Sequence, residues 1–410
     1  MKVLWIVNIL LPEIAEYLEK NKPVVGGWLT GLANALSQDK SIDLHIVTVL
    51  KGMKPNFVKI GNITYHTVDG AKESWIYLET LLRPDVVHIH GTEYNFGLNY
   101  IKSTNSQYKS VFSIQGLLSV SHRYYLAGIS MKDVFLNLSF RDLVKFDNIC
   151  FQQIKFKKKG EIEKSYFSEC NFVIGRTSWD KSHSLALNPN INYFHCNEVL
   201  RNKFYISPKW KYSKCEKYSI FLSQASYPIK GLHVVIKAIT FLIKEFPEIK
   251  VYVGGVNILN DRGFVNKIKQ SGYSKYLNSL IKKNKLEKNI IFLGNLNESE
   301  IIEQYLRSNI FICPSSIENS PNSLAEAQIL GVPSIASFVG GIPDMIDHEV
   351  NGLIYRFEEV EMLVLHIRKL FSDNHFCELM SFNSIKTAER RHNIAVTTRE
   401  YLNVYSIILK

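Results

Sequence analysis

Short apolar runs of strand length, each followed by a helical pattern, recur along this chain in two series. The first series lies at residues 3–9, 44–49, 86–90, 111–114 and 172–174, and the second at residues 218–222, 250–253, 290–293, 310–313 and 334–336. Near-continuous apolar runs of this length are typical of parallel strands buried on both faces, and parallel strands require crossover helices. The pattern therefore predicts an α/β fold with two doubly wound, Rossmann-like domains.

Helical patterns and one polar stretch divide the chain further. Helices are predicted near residues 29–36, 130–168, 231–245, 273–284, 298–307, 322–330, 358–372 and 394–409, and an irregular stretch leads from the first strand to residue 26. Because residues 206–217 are polar and irregular, we predict an N-terminal domain over residues 1–205, a linker over 206–217 and a C-terminal domain over 218–385. Residues 386–410 are predicted to hold a closing helix, with packing back on the N-terminal domain as one option. Ligands of such folds bind outside the carboxyl ends of the strands, so a cleft between the two domains is the expected site.

The composition excludes several classes of protein and leaves others open. With 410 residues, 46% of them hydrophobic and 21% charged, the chain is neither disordered nor collagen-like nor a coiled coil. Its 49 basic against 38 acidic side chains give a net charge of +11, which favours anionic partners such as nucleic acid, phosphorylated ligands or a membrane surface. The six cysteines form no C-x-x-C motif, and no apolar run reaches the length that crosses a bilayer. We therefore expect a cytoplasmic protein with reduced thiols.

Residues 313–328 form the most informative segment, in which a predicted strand leads into a loop rich in Pro, Ser and Asn and then into a helix. Asn322 or Ser323 can act as the N-cap of that helix, and N–H groups at a helix start bind phosphate. Glu318 lies in the loop and Glu326 on the helix, so both carboxylates can face one ligand. Because a carboxylate cannot bind a phosphate, sugar hydroxyls are the expected partners. The alternative is that Glu318 is an ordinary turn residue and Glu326 an exposed helix residue.

Lys230 occupies a second informative position. It follows a predicted strand and its loop, and it stands directly before Gly231 and a predicted helix. In doubly wound folds a cation at this position meets the phosphate of a ligand. Taken alone the signal is weak, because many lysines lie near helix starts by chance.

Several motifs occur in a fixed order along the chain. They are Gly26-Gly27, Lys230-Gly231, Pro314-Ser315 with Glu318 and Glu326, Gly331-Val332-Pro333, Gly340-Gly341-Ile342-Pro343-Asp344 and Asn351-Gly352. This ordered set resembles the retaining glycosyltransferases of family 4, also described as glycosyl transferases group 1, which have the GT-B fold of two Rossmann-like domains facing across a cleft. The resemblance is strongest over residues 218–356.

The resemblance implies roles for individual residues. Lys230 would hold the diphosphate of a nucleotide-sugar donor, Glu326 would bind the ribose hydroxyls, and Glu318 would lie against the transferred sugar as a catalytic residue together with Lys230. The N–H groups near Ser323 and Leu324 would bind the distal phosphate, and Asn322 at the same helix start belongs to this donor site.

Three glycines complete the implied donor site. Gly26 and Gly27 would let the loop after the first strand approach the donor closely. Gly294 would lie beside the donor base, at the end of the strand that precedes it.

The chain departs from the family pattern at two places. The arginine that usually precedes the lysine is absent, since residues 224–226 are Gln, Ala and Ser. The histidine that many relatives carry after the fourth strand is replaced by Gln115, with His122 as a substitute nearby. A glutamine can hydrogen-bond a sugar hydroxyl but cannot act as an acid or base near neutral pH. Gln115, His122 and His90 are therefore candidates for contact with the acceptor or the sugar.

No metal is expected at the site. His88 and His90 share one face of their strand, but no third ligand is spaced nearby, so a core or cleft-lining role is the preferred interpretation. The chain also contains no Asp-x-Asp pair that could hold a divalent ion on the diphosphate. No cofactor other than the donor substrate is predicted.

A basic run between Lys155 and Lys159 allows two interpretations. The first is an ordinary solvated helix face, which is the usual meaning of a charge run. The second uses the interleaved Phe151, Ile154 and Phe156, with which the run could rest on an anionic bilayer at the inner face of the plasma membrane and reach a lipid-linked acceptor. Nucleic acid is not an expected partner, because the basic residues are spread over both halves of the chain.

The resemblance therefore implies a retaining hexosyltransferase, and the residues suggest no metal ion. It would move a sugar from a nucleotide-diphosphate-sugar to a saccharide or lipid-linked saccharide acceptor, in the assembly of a cell-surface polysaccharide or glycolipid. Two alternatives stay open at this stage: a GT-B nucleotide-sugar epimerase, and a basic nucleotide-sugar-binding scaffold without catalysis.

Overall fold

The structure, a computed structural model, describes residues 1–20, 26–259 and 269–410. The chain divides into two compact units: unit 1 consists of Met1–Ser119, Lys158–Asn202 and Arg391–Lys410, and unit 2 consists of Val120–Lys157 and Lys203–Arg390. The irregular stretch predicted before residue 26 includes residues 21–25, which lie outside the described residues. Its earlier part contains a short helix that the sequence pattern does not predict.

Unit 1 is built on an eight-stranded sheet. Its strands are β1 Lys2–Val7, β2 Asp43–Val49, β3 Asn56–Ile60, β4 Ile63–Val68, β5 Val86–His90, β6 Ser110–Ser113, β7 Phe172–Gly175 and β8 Asn192–His195. The order is β3-β4-β2-β1-β5-β6-β7-β8, and every neighbouring pair is parallel except the antiparallel β3 and β4. The five strands predicted in this half are confirmed, and β3, β4 and β8 were not predicted.

Unit 2 is built on a six-stranded sheet in which every neighbouring pair is parallel. Its strands are β9 Glu216–Leu222, β10 Lys250–Gly254, β11 Ile290–Gly294, β12 Ser308–Cys313, β13 Ser334–Ser337 and β14 Leu353–Tyr355. The order β11-β10-β9-β12-β13-β14 reverses direction between β9 and β12, which makes this the topological switch point of the sheet. All five strands predicted in this half are confirmed. The prediction of two doubly wound Rossmann-like domains is therefore confirmed.

The helices cover both sheets. In chain order they are α1 Pro12–Tyr17, α2 Gly27–Leu36, α3 Lys72–Leu82, α4 Phe96–Thr104, α5 Leu118–Ser121, α6 Met131–Leu136, α7 Phe140–Lys145, α8 Ile149–Glu169, α9 Ser178–Leu187, α10 Asn202–Ile206, α11 Leu232–Leu242, α12 Gly272–Lys283, α13 Glu298–Arg307, α14 Asn322–Leu330, α15 Val360–Ser372, α16 Asn374–Arg391 and α17 Ile394–Ile408. In the part of the chain that the structure describes, no helix combines the length and apolar character needed to cross a bilayer.

For two segments, the observed units differ from the predicted domain ranges. Residues 120–157 fall in the range predicted for the N-terminal domain but group with unit 2. Polar contacts hold them there: Asp142 Oδ2 accepts a hydrogen bond from the Gly272 N–H at 2.8 Å, and His233 Nε2 lies 2.8 Å from the Ala127 carbonyl oxygen. The predicted linker is also docked on unit 2, because the buried indole of Trp210 donates to the Ser308 carbonyl at 2.8 Å.

The closing helix α17 groups with unit 1. It packs on α2, and Tyr405 on its inner face is fully buried. The Tyr405 hydroxyl accepts a hydrogen bond from Trp5 Nε1 at 3.0 Å and lies 2.7 Å from His88 Nδ1. The end of the described chain thereby joins the hydrophobic core around β1.

Candidate active site

The two loops that the sequence singles out both leave the carboxyl edge of the unit 2 sheet at its switch point. One follows β9 and ends in the short 3-10 helix Pro228–Lys230, and the other follows β12 and contains Glu318. Because β9 and β12 are neighbours in the sheet, residues 88 positions apart in sequence can meet here. This is where ligands bind in open α/β sheets.

Lys230 and Glu318 form an ion pair across this switch point. Lys230 Nζ lies 2.6 Å from Glu318 Oε1, and the two side chains are 29% and 14% exposed. Burial lowers the pKa of the lysine, but the charge of Glu318 and the hydrogen bond to its carboxylate outweigh that effect and hold the pKa of Lys230 above its ordinary value. The sequence assigned the two residues to different parts of a donor and did not predict their contact.

Glu318 is held by further hydrogen bonds. Ser315 Oγ donates to the same Oε1 at 2.7 Å, and the Gly341 N–H donates to the Glu318 carbonyl at 3.0 Å. Ser337 Oγ in turn donates to the carbonyl of Ser315. The sequence placed Ser315 in the motif but gave it no role, although its spacing of three residues before Glu318 was a usable signal. The carboxylate is therefore fixed in position by Ser315 and Lys230.

Two glycines allow the loops to approach each other. Gly231 has a φ of 73°, and a Cβ at this position would lie 1.8 Å from the Pro314 carbonyl oxygen. Gly340 has a φ of 51°, and a Cβ there would lie 1.9 Å from the Glu318 carbonyl oxygen. Both positions combine a left-handed backbone with a backbone contact that no side chain could share. Glycines at these positions are what permit Lys230 and Glu318 to meet.

The start of α14 differs from the prediction in one respect. The N-cap is Pro321, with φ −70° and ψ 120°, and not Asn322 or Ser323, which are the first two residues of the helix. The reason is that proline fixes an extended entry into the helix but offers no side-chain acceptor. The N–H of Leu324 donates to the Pro321 carbonyl at 3.0 Å, so it is already used within the first turn. In the described residues no side chain caps this helix, and its positive end stays available to an anion.

Glu326 lies one turn further along α14 and is only 7% exposed. The alternative of an exposed helix residue is therefore wrong.

Gly294 ends β11 with a φ of 76°, and no described atom lies within 4 Å of the position that a Cβ would take. Its carbonyl accepts a hydrogen bond from the Gly255 N–H at 2.8 Å. The space beside Gly294 is thus open at the carboxyl edge of the same sheet.

Gly26 and Gly27 lie in unit 1 and have local reasons to be glycine. Gly26 is the N-cap of α2 with a φ of 89°, and a Cβ on it would lie 1.9 Å from Ile9 Cδ1. A Cβ on Gly27 would lie 2.5 Å from Arg201 Cδ. Packing within unit 1 therefore accounts for both glycines without a ligand.

The candidates for acceptor contact are distributed over both units. His90 is buried against the rings of Trp5 at 4.4 Å and His88 at 3.8 Å, and burial together with nearby positive groups holds its pKa well below the ordinary value. Gln115 lies in unit 1 with a buried Nε2 that has no hydrogen-bond partner among the described residues. His122 lies in unit 2, where its carbonyl accepts from Gln153 Nε2 at 2.9 Å.

The two strand histidines are core residues. His88 Nδ1 lies 2.7 Å from the Tyr405 hydroxyl, and His88 Nε2 lies 2.7 Å from Ser113 Oγ. Both ring nitrogens of His88 are therefore engaged within unit 1. Over residues 1–20, 26–259 and 269–410, the structure brings together no three His, Cys, Asp or Glu side chains that could hold a metal ion.

Comparison with known families gives one match that covers most of unit 2. Residues 205–387 match the family described as glycosyl transferases group 1. Among curated relatives, the chain is 24% identical over 195 residues to the glycosyltransferase MJ1607 of Methanocaldococcus jannaschii, covering 48% of this chain and 46% of that protein. It is 25% identical over 181 residues to the capsular polysaccharide biosynthesis glycosyltransferase CapM of Staphylococcus aureus, covering 44% of each chain. The chain thus spans about half the length of the curated relatives it matches.

Solved structures resemble the whole chain. A sucrose-phosphate synthase from Thermosynechococcus elongatus has a TM-score of 0.72 and 13% identity, covering 100% of this chain and 99% of that one. HepE from Anabaena, solved in complex with UDP-glucose, has a TM-score of 0.65 and 15% identity, covering 99% of both chains. At this level of identity the likeness establishes the fold.

Proposed function

We propose that the chain, whose residues 205–387 match the glycosyl transferases group 1, transfers a sugar from a nucleotide-diphosphate donor to a hydroxyl group of a saccharide or lipid-linked saccharide. The reaction retains the anomeric configuration and uses no metal ion. The observation that carries the proposal is the Lys230–Glu318 ion pair at the unit 2 switch point, next to a helix start that no described side chain caps.

The leaving diphosphate is the group whose charge grows in the transition state. A cation and a helix N-terminus fixed in advance at that position stabilise such charge without reorganisation, and in many enzymes this stabilisation accounts for most of the rate enhancement. Lys230 supplies the cation, and its raised pKa keeps it protonated throughout the neutral range. The N–H groups of Asn322 and Ser323 supply the second partner, whereas that of Leu324 is engaged with Pro321.

The two carboxylates contact the uncharged parts of the donor. Glu326 binds the ribose hydroxyls, and Glu318 orients the transferred sugar and stabilises positive charge at its anomeric carbon. Lys230 contacts both Glu318 and the proposed position of the diphosphate, so its charge reduces the repulsion between the carboxylate and the phosphates. The UDP-glucose held by the similarly folded HepE supports a nucleotide sugar as the donor.

The acceptor is a hydroxyl of a saccharide or of a lipid-linked saccharide, used in building a cell-surface polysaccharide or glycolipid. The role of the relative CapM in capsular polysaccharide biosynthesis supports this class. Gln115 is the side chain in unit 1 best suited to bind a sugar hydroxyl, because its buried amide nitrogen has no partner among the described residues.

Three substitutions test the donor site. Lys230→Ala is expected to lower kcat/KM about 10²–10³-fold. Glu326→Ala is expected to weaken donor binding about tenfold or more, and Glu318→Ala to lower kcat mainly. Binding is measured by calorimetry with nucleotide sugars, and turnover by release of the nucleoside diphosphate.

Lys250→Ala is the matched control, because Lys250 pairs with Glu216 at 2.9 Å at the opposite, amino edge of the same sheet. Unchanged donor affinity in both Lys230→Ala and Glu326→Ala would contradict the assignment. Epimerised donor formed without any acceptor would indicate an epimerase, and no turnover of any nucleotide sugar would indicate a scaffold. The product configuration from NMR and full activity in EDTA test the retaining and metal-independent parts of the proposal.

A further inference from the structure

The segment from α6 to the start of α8 turns its apolar side chains towards solvent. Nine large apolar side chains in this segment are between 38% and 71% exposed. They are Met131, Phe135, Leu136, Phe140, Leu143, Val144, Phe146, Phe151 and Ile154. We call these nine residues the apolar face. All of them lie within the part of unit 2 formed by Val120–Lys157.

The side of the segment that faces unit 2 is held largely by polar groups. Asp142 is 1% exposed, accepts from Ser139 N–H within the α7 capping box and also accepts from the Gly272 N–H at 2.8 Å. Lys275 Nζ donates to the Leu138 carbonyl at 3.0 Å. Hydrogen bonds thus fix α7 to unit 2, while its large apolar side chains stay more than half exposed, which inverts the usual pattern of a surface helix. Leu143 is exposed to solvent, and Phe140 and Val144 line an open cavity with Ile258 and Ser274. Large exposed apolar patches on soluble proteins mark sites of interaction with a partner or a membrane.

Basic side chains outnumber acidic ones in the segment that carries the apolar face. Between residues 131 and 159 the sequence has seven basic and three acidic side chains. Asp142 is buried, and Asp147 is paired with Arg141 at 2.6 Å and with Lys155 at 3.7 Å. Lys132, Lys145 and Lys157 are exposed. The charge offered to a partner is therefore positive.

We propose that this surface inserts shallowly into an anionic lipid bilayer. Large apolar side chains on short helices with flanking lysines combine the two effects that bind a protein to such an interface, burial of apolar area and attraction to acidic headgroups. The proposed surface includes α6 and α7, whereas the sequence-based interpretation considered only the basic run of α8. Phe156 is not part of it, because its ring packs at 4.7 Å on Tyr125.

Vesicle binding by the full chain tests the proposal. We expect the protein to sediment with vesicles containing phosphatidylglycerol and phosphatidylcholine, to bind vesicles of phosphatidylcholine alone at least about tenfold more weakly, and to bind less at high salt. The double substitution Phe140→Ser and Leu143→Ser is expected to lower binding by about tenfold or more. Lys145→Glu with Lys157→Glu is expected to abolish the preference for the anionic lipid.

Matched controls come from other parts of the surface. Phe57 and Phe241 are 63% and 59% exposed, close to the 64% and 62% of Phe140 and Leu143, so Phe57→Ser with Phe241→Ser removes similar apolar area elsewhere. Equal loss of binding in the control and the test pair would overturn the proposal. Insertion is read separately from the emission of Phe140→Trp, which should shift to the blue with anionic vesicles, whereas that of Phe57→Trp should not.

A second copy of the chain is the competing occupant, and light scattering distinguishes it. A wild-type dimer that Phe140→Ser with Leu143→Ser converts to a monomer would overturn the bilayer proposal, as would wild-type protein that binds neither kind of vesicle. Nucleotide-sugar affinity measured on the same variants is expected to be unchanged, because none of the substituted residues belongs to the donor site.

Discussion

Each unit has its own sheet, in which the strand order reverses between two central strands. The two units differ in the charged groups at the carboxyl edge of that sheet. In unit 2 the cation Lys230 is partly exposed and pairs with Glu318 across the switch point. In unit 1 the cation Arg176 is buried, forms an ion pair with Glu198 and donates to the backbone carbonyls of Ile114 and Gln115. One positive group is partly exposed at the proposed donor site, and the other holds the framework of a loop.

The difference indicates which substrate each unit suits. A partly exposed cation next to a helix start without a side-chain cap suits a charged diphosphate. Unit 1 offers uncharged groups instead, because burial lowers the pKa of His88 to about 3 and holds that of His90 well below its ordinary value, so both are neutral at pH 7. Neutral side chains suit an uncharged sugar hydroxyl. In the proposed function, the position of the cation therefore distinguishes the donor-binding unit from the acceptor-binding unit.

The largest expected difference between the two units is in their stability at acidic pH. Among the described residues, the histidines whose pKa is lowered include His45, His66, His88, His90 and His392 in unit 1 and His233 and His366 in unit 2. A lowered pKa means that the unfolded chain takes up a proton first, so stability is complete above pH 6.5 and falls as the pH drops below it. At pH 5 a histidine with a folded pKa of about 3 costs about 2 kcal/mol.

Hydrogen exchange at pH 7 and pH 5 measures this effect for each unit separately. We expect amides of β1, β5 and β6 to lose protection at pH 5 well before those of β9 and β12. A simultaneous loss of protection in both sheets would show that the histidine difference does not control acid stability.

The buried ion pair of unit 1 should give the next largest effect. Glu198→Ala leaves Arg176 charged and buried, and the expected loss is about 3–5 kcal/mol in the free energy of unfolding measured in urea. The double variant Arg176→Met with Glu198→Leu should recover most of that loss, because both charges are then removed together. A double variant as unstable as the single one would contradict a charge-based explanation.

Gly231 sharpens the comparison within unit 2. Gly231→Ala forces a Cβ against the Pro314 carbonyl in a left-handed backbone, so we expect about 1–3 kcal/mol of lost stability and weaker donor binding. Gly294→Ala is the control, since Gly294 also has a positive φ but has no described atom within 4 Å of the new Cβ. Urea unfolding compares the stability of the two variants, and calorimetry with the donor tests Gly231→Ala. Equal stability loss in the two variants would leave only backbone strain as the cause.

The smallest effect on stability is expected for substitution of Lys230. Lys230→Met should change the free energy of unfolding by about 1 kcal/mol or less, because solvent screens a partly exposed pair. Stability owed to this pair is present below pH 10.5, the ordinary lysine value, and is lost only as the pH rises through the raised pKa of Lys230. A wild-type minus variant difference that stays constant from pH 7 to pH 9 is the expected result.

The sequence predicted those parts of the fold that have strong local patterns. Buried parallel strands such as β5 read as continuous apolar runs, and their bounds matched closely. The β3–β4 hairpin was missed because Asn56–Ile60 is an exposed edge strand without such a run, although Gly61 and Asn62 form a turn signal between the two strands. The helix α16 was missed because its apolar residues show little helical periodicity.

The site was predictable as a set of residues but not as a geometry. Lys230, Glu318 and Glu326 were recognised from their motifs, yet the pairing of the first two depends on β9 and β12 being neighbours in the sheet. No local pattern encodes a contact between residues 88 positions apart. The outward apolar face of α6 and α7 was likewise hidden, because an apolar residue in a helical pattern is ordinarily assigned to the core.

The position of α17 determines the order in which the chain can mature during synthesis. Tyr405 engages both Trp5 Nε1 and His88 Nδ1, so the first sheet lacks the partner of two buried groups until the ribosome has released residue 405. Unit 2 ends at Arg390 and leaves the ribosome earlier. Domains usually fold in the order in which they are made. In this protein the unit whose first residues are made earlier is the one whose last described residues are made later, so unit 2 has all of its residues before unit 1 does.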